Sequence, residues 1–203
     1  VCLCGLRILV HGSIADRLIA QLVKRVNGMI CGDPKDDATH IGALISQEHL
    51  QKVESYIELG VEEGGTILTG GTREMTSIPD VNPDGAFLRP TIIDRLPHTS
   101  RTSTEEIFGP VVTVHRFESD EEAIAMANAT EYGLAGSIWS KDTERAHALA
   151  QNIETGIIWV NTWLHRDLRT PFGGVKNSGV GREGGVWSLG FFSEPLNVCI
   201  KLD

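Results

Sequence analysis

Residues 111–160 read VVTVHRFESDEEAIAMANATEYGLAGSIWSKDTERAHALAQNIETGIIWV, and the order of patterns in this stretch sets the fold class. Val111 to Phe117 is an apolar, β-branched run of strand length. Ser119, with Glu122 three residues on, is a capping box opening a helix to about Asn128. Leu134 to Trp139 is a second strand, Asp142 to Ile153 a helix, and Gly156 to Val160 a third strand. Strands alternating with helices through short connections predict parallel pairing, hence an α/β fold with an open, mostly parallel sheet.

Upstream, Leu6 to His11 reads as a strand, and Ser13 opens a helix with Asp16 as a capping-box variant. Ile14, Leu18, Leu22 and Val26 recur at spacing four and predict its buried face. Ser46 caps a second helix whose buried stripe is Leu50, Val53, Ile57 and Val61; Gly64-Gly65 stops it, and Thr66 to Thr69 is a strand. Gly70 to Gly85 is polar and aperiodic, a surface loop. Phe87 to Ile93 is extended, with Pro90 arguing against a central place in a sheet. At the other end, Leu196, Val198, Ile200 and Leu202 alternate with Asn197, Cys199 and Lys201, which predicts a half-buried strand pairing away from the main sheet.

The 203 residues carry 41% hydrophobic and 22% charged side chains, an ordinary globular composition that excludes a disordered, collagenous or membrane-spanning chain. The net charge of −9, with no cluster of Lys and Arg, argues against a nucleic-acid partner. No signal peptide and no apolar run of about 18 residues is present, so no membrane partner is expected. Cys2, Cys4, Cys31 and Cys199 form neither a disulfide framework nor a metal pattern, which points to a reducing, cytoplasmic setting. The chain opens at Val1 inside an apolar run without Met, so it is expected to be part of a longer protein.

Three features bear on chemistry. Pro171 to Gly185, PFGGVKNSGVGREGG, contains Gly179-x-Gly181-x-x-Gly184, the spacing of a dinucleotide fingerprint. That reading fails, because only 19 residues follow Gly184 and the fingerprint needs a helix, a second strand and a distant acidic residue. The glycines are read as backbone turns. Cys2 is either a core residue or a thiolate nucleophile, and it shares a side with Cys4 if the run is extended. Glu105-Glu106, ahead of Ile107-Phe108-Gly109-Pro110, are either solvated or placed to grip a diol, since a carboxylate accepts two hydrogen bonds. Among the seven histidines, His11, His49, His147 and His165 read as surface or internally satisfied residues.

EEIFGPV at Glu105 to Val111 and PFGGVKNSGVGRE at Pro171 to Glu183 resemble signatures of the aldehyde dehydrogenase superfamily. VCLCG at the start resembles that family's active-site segment, and IGALIS at Ile41 to Ser46, YGLAGSIWS at Tyr132 to Ser140 and GIIWVNTW at Gly156 to Trp163 agree in order and spacing. RDLRTPFGG at Arg166 to Gly174 and the ending NVCIKL are similar to the 2-hydroxymuconic and 2-aminomuconic semialdehyde dehydrogenases.

The resemblance implies the fold of that family's catalytic domain over residues 1–195 and an oligomerisation strand over 196–203, with the nucleotide-binding domain outside this chain. It implies Cys2 as the nucleophile, Glu106 as the carboxylate on the nicotinamide ribose of NAD (NADP being the alternative), and Phe108 as the aromatic near the nicotinamide ring. Phe172 falls in the loop lining the substrate funnel. Arg166, where many relatives carry an aromatic or apolar residue, is expected to hold a substrate carboxylate bidentately, with Arg169 in reserve; the competing reading is a structural ion pair with Asp167 or a neighbouring carboxylate. No metal site is implied. The expected partners are a small aldehyde and further copies of the chain, as homodimer or homotetramer. A CoA-acylating dehydrogenase and an inactive fragment that only oligomerises are the alternatives, and the chain alone is expected to be inactive.

Overall fold

The computed structural model describes residues 2–73 and 85–203, in two compact units split after Thr130. The first unit contains β1 (Arg7–His11), α1 (Gly12–Asn27), α2 (Gln47–Glu62), β2 (Thr66–Thr69), β3 (Thr91–Asp94), α3 (Arg101–Thr104), β4 (Val111–Phe117) and α4 (Asp120–Asn128). Its four strands form one sheet in the order β1-β4-β3-β2. β4 runs parallel to both neighbours, pairing Arg7 with Thr113 on one side and Thr91 with Val111 on the other, while β2 is antiparallel to β3.

Alternation along the strands divides the core. Val10, Ile92 and Val114 point toward α1 and pack on Ala15, Ile19 and Val26. Ile93 and Val111 point the other way, onto Leu50, Val53 and Ile57 of α2. The sheet is therefore covered by a helix on each face, as a parallel α/β sheet requires.

Two local expectations hold at the caps. Ser46 Oγ accepts from His49 N at the start of α2, and Ser119 Oγ accepts from Glu122 N at the start of α4. The Glu122 carboxylate reaches back to Glu118 N at 2.7 Å, a capping box displaced by one residue. Three other expectations are corrected. His11, not Ser13, caps α1, its Nδ1 accepting from Ser13 N. The buried face of α1 is rotated, with Ile14 at 44% and Leu18 at 38% exposure while Ala15 and Ile19 are buried. A strict spacing of four drifts about 40° per step around a helix, so two adjacent stripes compete and the sheet decides between them. On α2, Val61 lies outside the buried stripe for the same reason. Finally, β3 is a central strand despite Pro90. The proline stops one residue short of the ladder, and Thr91 N donates to Pro110 O at 2.8 Å. The expected loop at 70–85 falls largely on residues 74–84, outside the described residues.

His115 lies on β4, buried, with Nε2 beside Thr113 Oγ1 at 2.9 Å. Burial, then the positive charges of Arg7 and His98, pushes its pKa down to about 4. The unfolded chain binds a proton below about pH 6.5 that the folded state refuses until about pH 4, so stability is full at neutral pH and falls as pH drops through that window. Denaturant titration is expected to show a loss of roughly 2 kcal/mol from this group toward the lower end. His115→Leu should flatten that part of the profile, and an identical acid loss in both proteins would refute the assignment.

The second unit contains β5 (Tyr132–Gly133), β6 (Ala135–Ile138), α5 (Thr143–Asn152), β7 (Ile157–Val160), β8 (Val175–Lys176) and α6 (Gly185–Phe191). β6 and β7 pair in parallel from Ala135↔Ile157 to Ile138↔Val160, and β5 pairs with β8 antiparallel. The three strands read from residues 111–160 thus do not share one sheet: β4 pairs in the first unit, β6 with β7 in the second. Asp142 caps α5 through Arg145 N. Asn161, at φ +54°, accepts from Ser140 N and donates to Ser140 O, which ties the end of β7 to the end of β6.

The tail departs from expectation. Residues 193–203 form no strand with this chain, and Leu196, at 86% exposure, and Ile200, at 76%, project from it. Alternation alone cannot make a strand, because ladder hydrogen bonds need a partner edge. The oligomerisation assignment is taken up below as a proposal.

Candidate active site

The loop between α3 and β4 is built by alternate anchoring and release. Glu105 is tied down: its carboxylate accepts from Arg101 Nε at 2.7 Å and from Tyr56 Oη at 2.6 Å, and these bonds hold it below the usual carboxylate range. Glu106 is exposed, and its carboxylate has no partner among the described residues. Ile107, only 2% exposed, plugs into the core with Leu50 and Val53. Phe108 then turns outward at φ +59°, leaving its ring 48% exposed. At Gly109 a Cβ would stand 2.6 Å from the Val53 side chain, so only glycine lets the loop lie this close to α2. The two readings of the acidic pair are thereby separated: Glu105 is structural, and Glu106 is presented.

α2 contributes a polar stripe that sequence reasoning missed. His49 Nε2 donates to Phe108 O at 2.7 Å and its ring meets the Phe108 ring edge-on at 6.3 Å. Lys52 Nζ donates to Glu106 O at 3.1 Å, and Tyr56 holds Glu105. The spacing 49, 52, 56 is one helical face. Read alongside the apolar stripe at 50, 53 and 57, it signals a second, polar contact surface on the same helix.

Cys2 and Cys4 lie in the turn before β1, both exposed, while Cys31 is buried and donates to Leu88 O at 3.7 Å. Residues 2–6 form no strand, because β1 begins only at Arg7.

In the second unit the loop from Asn161 to Pro171 is anchored by Trp159, whose Nε1 donates to His165 O at 2.7 Å. Arg166 and Phe172 come together, the guanidinium stacking over the ring at 4.0 Å from its centroid. Arg166 Nη2 also donates to Glu183 Oε1 at 2.9 Å, and its Nε is buried without a partner. Phe172 and Glu183 face each other through two reciprocal backbone bonds of 2.8 Å, so the ring and the carboxylate that hold Arg166 are fixed to one another. The ion-pair reading of Arg166 is thus partly realised, but with Glu183 and not with Asp167. One Nη2 hydrogen is thus taken by Glu183 and Nε is buried, while Nη1 has no partner among the described residues. Arg169 pairs with Asp167, an exposed contact within its own turn.

The Gly-rich segment behaves as turns. Gly181, Gly184 and Gly185 have positive φ, Arg182 Nη1 donates to Gly174 O and Gly181 O, and α6 is followed by no strand among the described residues. No group of three or more His, Cys, Asp or Glu among the described residues is placed to hold a metal. No helix among them is long and apolar enough to cross a membrane.

The sequence profile of the aldehyde dehydrogenase family covers residues 1–198, and the chain belongs to that family. It is 46% identical over 203 residues to the 2-aminomuconic 6-semialdehyde dehydrogenase of a Pseudomonas species, and 44% identical over 201 residues to the 2-aminomuconic semialdehyde dehydrogenase of Mus musculus. The match covers 100% and 99% of this chain but 41% of each relative, so the chain spans about two fifths of their length. Betaine aldehyde dehydrogenase from Staphylococcus aureus, solved in complex with NAD+, superposes with a TM-score of 0.88 at 42% identity, covering 95% of this chain and 38% of that one.

Proposed function

We propose that the whole protein to which this chain belongs is an NAD-dependent dehydrogenase that oxidises a semialdehyde of the muconic type to the corresponding acid. The observation that carries the reading is the 105–109 loop, where Ile107 and Gly109 hold the backbone so that the Glu106 carboxylate and the Phe108 ring are both offered outward. An unbonded carboxylate suits a ribose diol, and an exposed ring beside it suits a flat heteroaromatic. NAD, when bound, accepts the hydride lost by the substrate carbon. The Cys2 thiolate adds to the aldehyde carbon, and its backbone N–H supports the oxyanion. Water cleaves the resulting thioester, returning the thiol and releasing the acid. Arg166 is assigned the carboxylate of the substrate, as a charge-assisted partner.

In this reading residues 1–195 belong to the catalytic domain, the setting is cytoplasmic, with which four free cysteines are in keeping, and dinucleotide recognition beyond the nicotinamide ribose belongs to the rest of the whole protein. The experiment is NADH formation by the whole protein with a muconic-type semialdehyde, followed by product analysis. Free acid supports the proposal, and a CoA thioester formed only with added CoA would replace it. Glu106→Gln is expected to raise KM for NAD roughly tenfold, the cost of one charge-assisted contact, while Glu105→Gln acts on stability instead. Equal effects of the two changes on KM would refute the division between them.

The exposed apolar tail supports a second element of the proposal, that residues 196–203 add a strand to a neighbouring copy in a homodimer or homotetramer. Deleting residues 196–203 from the whole protein should lower its mass in light scattering, and an unchanged oligomer would refute this role.

A further inference from the structure

In an acidic chain, one small cavity is lined by basic groups. About 220 Å³ in volume, it lies between the loop after β3 and the body of β4, and Arg95, His98, His115 and Arg116 line it together with Leu96 and Met126. None of these residues belongs to the 105–109 loop or to the Cys2 turn. The negative charge nearby is already committed. Asp94, buried, accepts from Arg116 Nη1 at 2.7 Å and from Arg95 N at 2.9 Å, and Asp16 makes a longer contact of 3.4 Å with Arg116 Nη2. Arg7 is spent on the end of α4, donating to Met126 O and Ala127 O.

Arg95 and His98 differ. Neither side chain has a hydrogen bond or ion pair among the described residues. Arg95 also adopts φ +66°, a conformation uncommon for a side chain of its size, and the Asp94 carboxylate stabilises it by capping the Arg95 N–H. The backbone turn thus places an unneutralised guanidinium at the cavity.

We propose that this cavity is a binding site for a phosphate-class oxyanion, with Arg95 as its principal ligand and His98 and Arg116 completing the grip. Donors reaching in from a loop and from a strand suit a tetrahedral anion better than a planar one, because they converge from different directions. The confined volume suits the anion alone.

The test is calorimetric titration of the whole protein with inorganic phosphate, at ionic strength fixed with potassium chloride, alongside Arg95→Asn. Asparagine tolerates positive φ, so this variant removes the charge without straining the turn. One site with a dissociation constant of about 1 mM or tighter is expected, weakened about tenfold in Arg95→Asn. Three results would overturn the proposal: no saturable heat above that of chloride, equal phosphate binding by Arg95→Asn, or binding of malonate or adenosine monophosphate where phosphate does not bind.

Discussion

Replacing Cys2 by alanine in the whole protein is expected to lower aldehyde oxidation by about 10³-fold or more, with folding unchanged. The size of the effect follows from the role: without a thiolate there is no covalent adduct, and no other exposed thiol occupies its position. The absence of a folding effect follows from geometry. In this chain Cys2 sits exposed in a turn, where its Sγ packs into no core cluster, and a change outside the core stays within about 0.5 kcal/mol. Exposure alone does not single out Cys2, because Cys4 and Cys199 are exposed as well. Iodoacetamide labelling must therefore be read by rate: Cys2 should react first and Cys31, buried, last. An inactive Cys4→Ala protein beside an active Cys2→Ala protein would show that the motif has been placed out of register by two residues.

Arg166→Ala is expected to raise KM for a carboxylate-bearing semialdehyde by about tenfold or more relative to a simple aliphatic aldehyde. A fully bidentate arginine would justify a larger factor, up to about 150-fold. The structure argues for the lower part of that range, since Nη2 is shared with Glu183 and Nε is buried. Arg166→Lys is a useful companion. Lysine keeps the charge but loses the planar stack on Phe172, so partial recovery would show how much the 4.0 Å stacking contributes to orientation. Arg169→Ala should leave discrimination unchanged, because its guanidinium is held by Asp167 on the protein surface. Equal losses on charged and uncharged aldehydes after Arg166→Ala would remove Arg166 from substrate selection and leave it as a structural partner of Glu183.

Much of the architecture was legible in residue order because it depends on neighbours within a few positions. Ser46, Ser119 and Asp142 cap helices wherever the rest of the chain goes, since each bond spans three residues. Strands at 7–11, 66–69, 111–117 and 157–160 follow from apolar, β-branched runs bounded by breakers. The motif strings likewise singled out Cys2, Glu106, Phe108, Arg166 and Phe172 as the candidates on which the proposal rests.

Tertiary structure decided whatever turned on competition between equivalent local choices. Two adjacent stripes of α1 were both apolar, and the sheet selected the one containing the small Ala15. β4, β6 and β7 read alike, and partner edges rather than composition separated them into two sheets. Glu105 and Glu106 are chemically identical neighbours; only the positions of Arg101 and Tyr56 make the first an anchor and leave the second free. The same holds for Arg166 and Arg169, three residues apart, one stacked on Phe172 and paired with Glu183, the other folded back onto Asp167. Local sequence determines which backbone conformations and side chains are available; which carboxylate or guanidinium remains unpaired depends on distant partners, 49 residues apart for Tyr56 and Glu105 and 100 for Asp16 and Arg116, and only the folded chain brings those together.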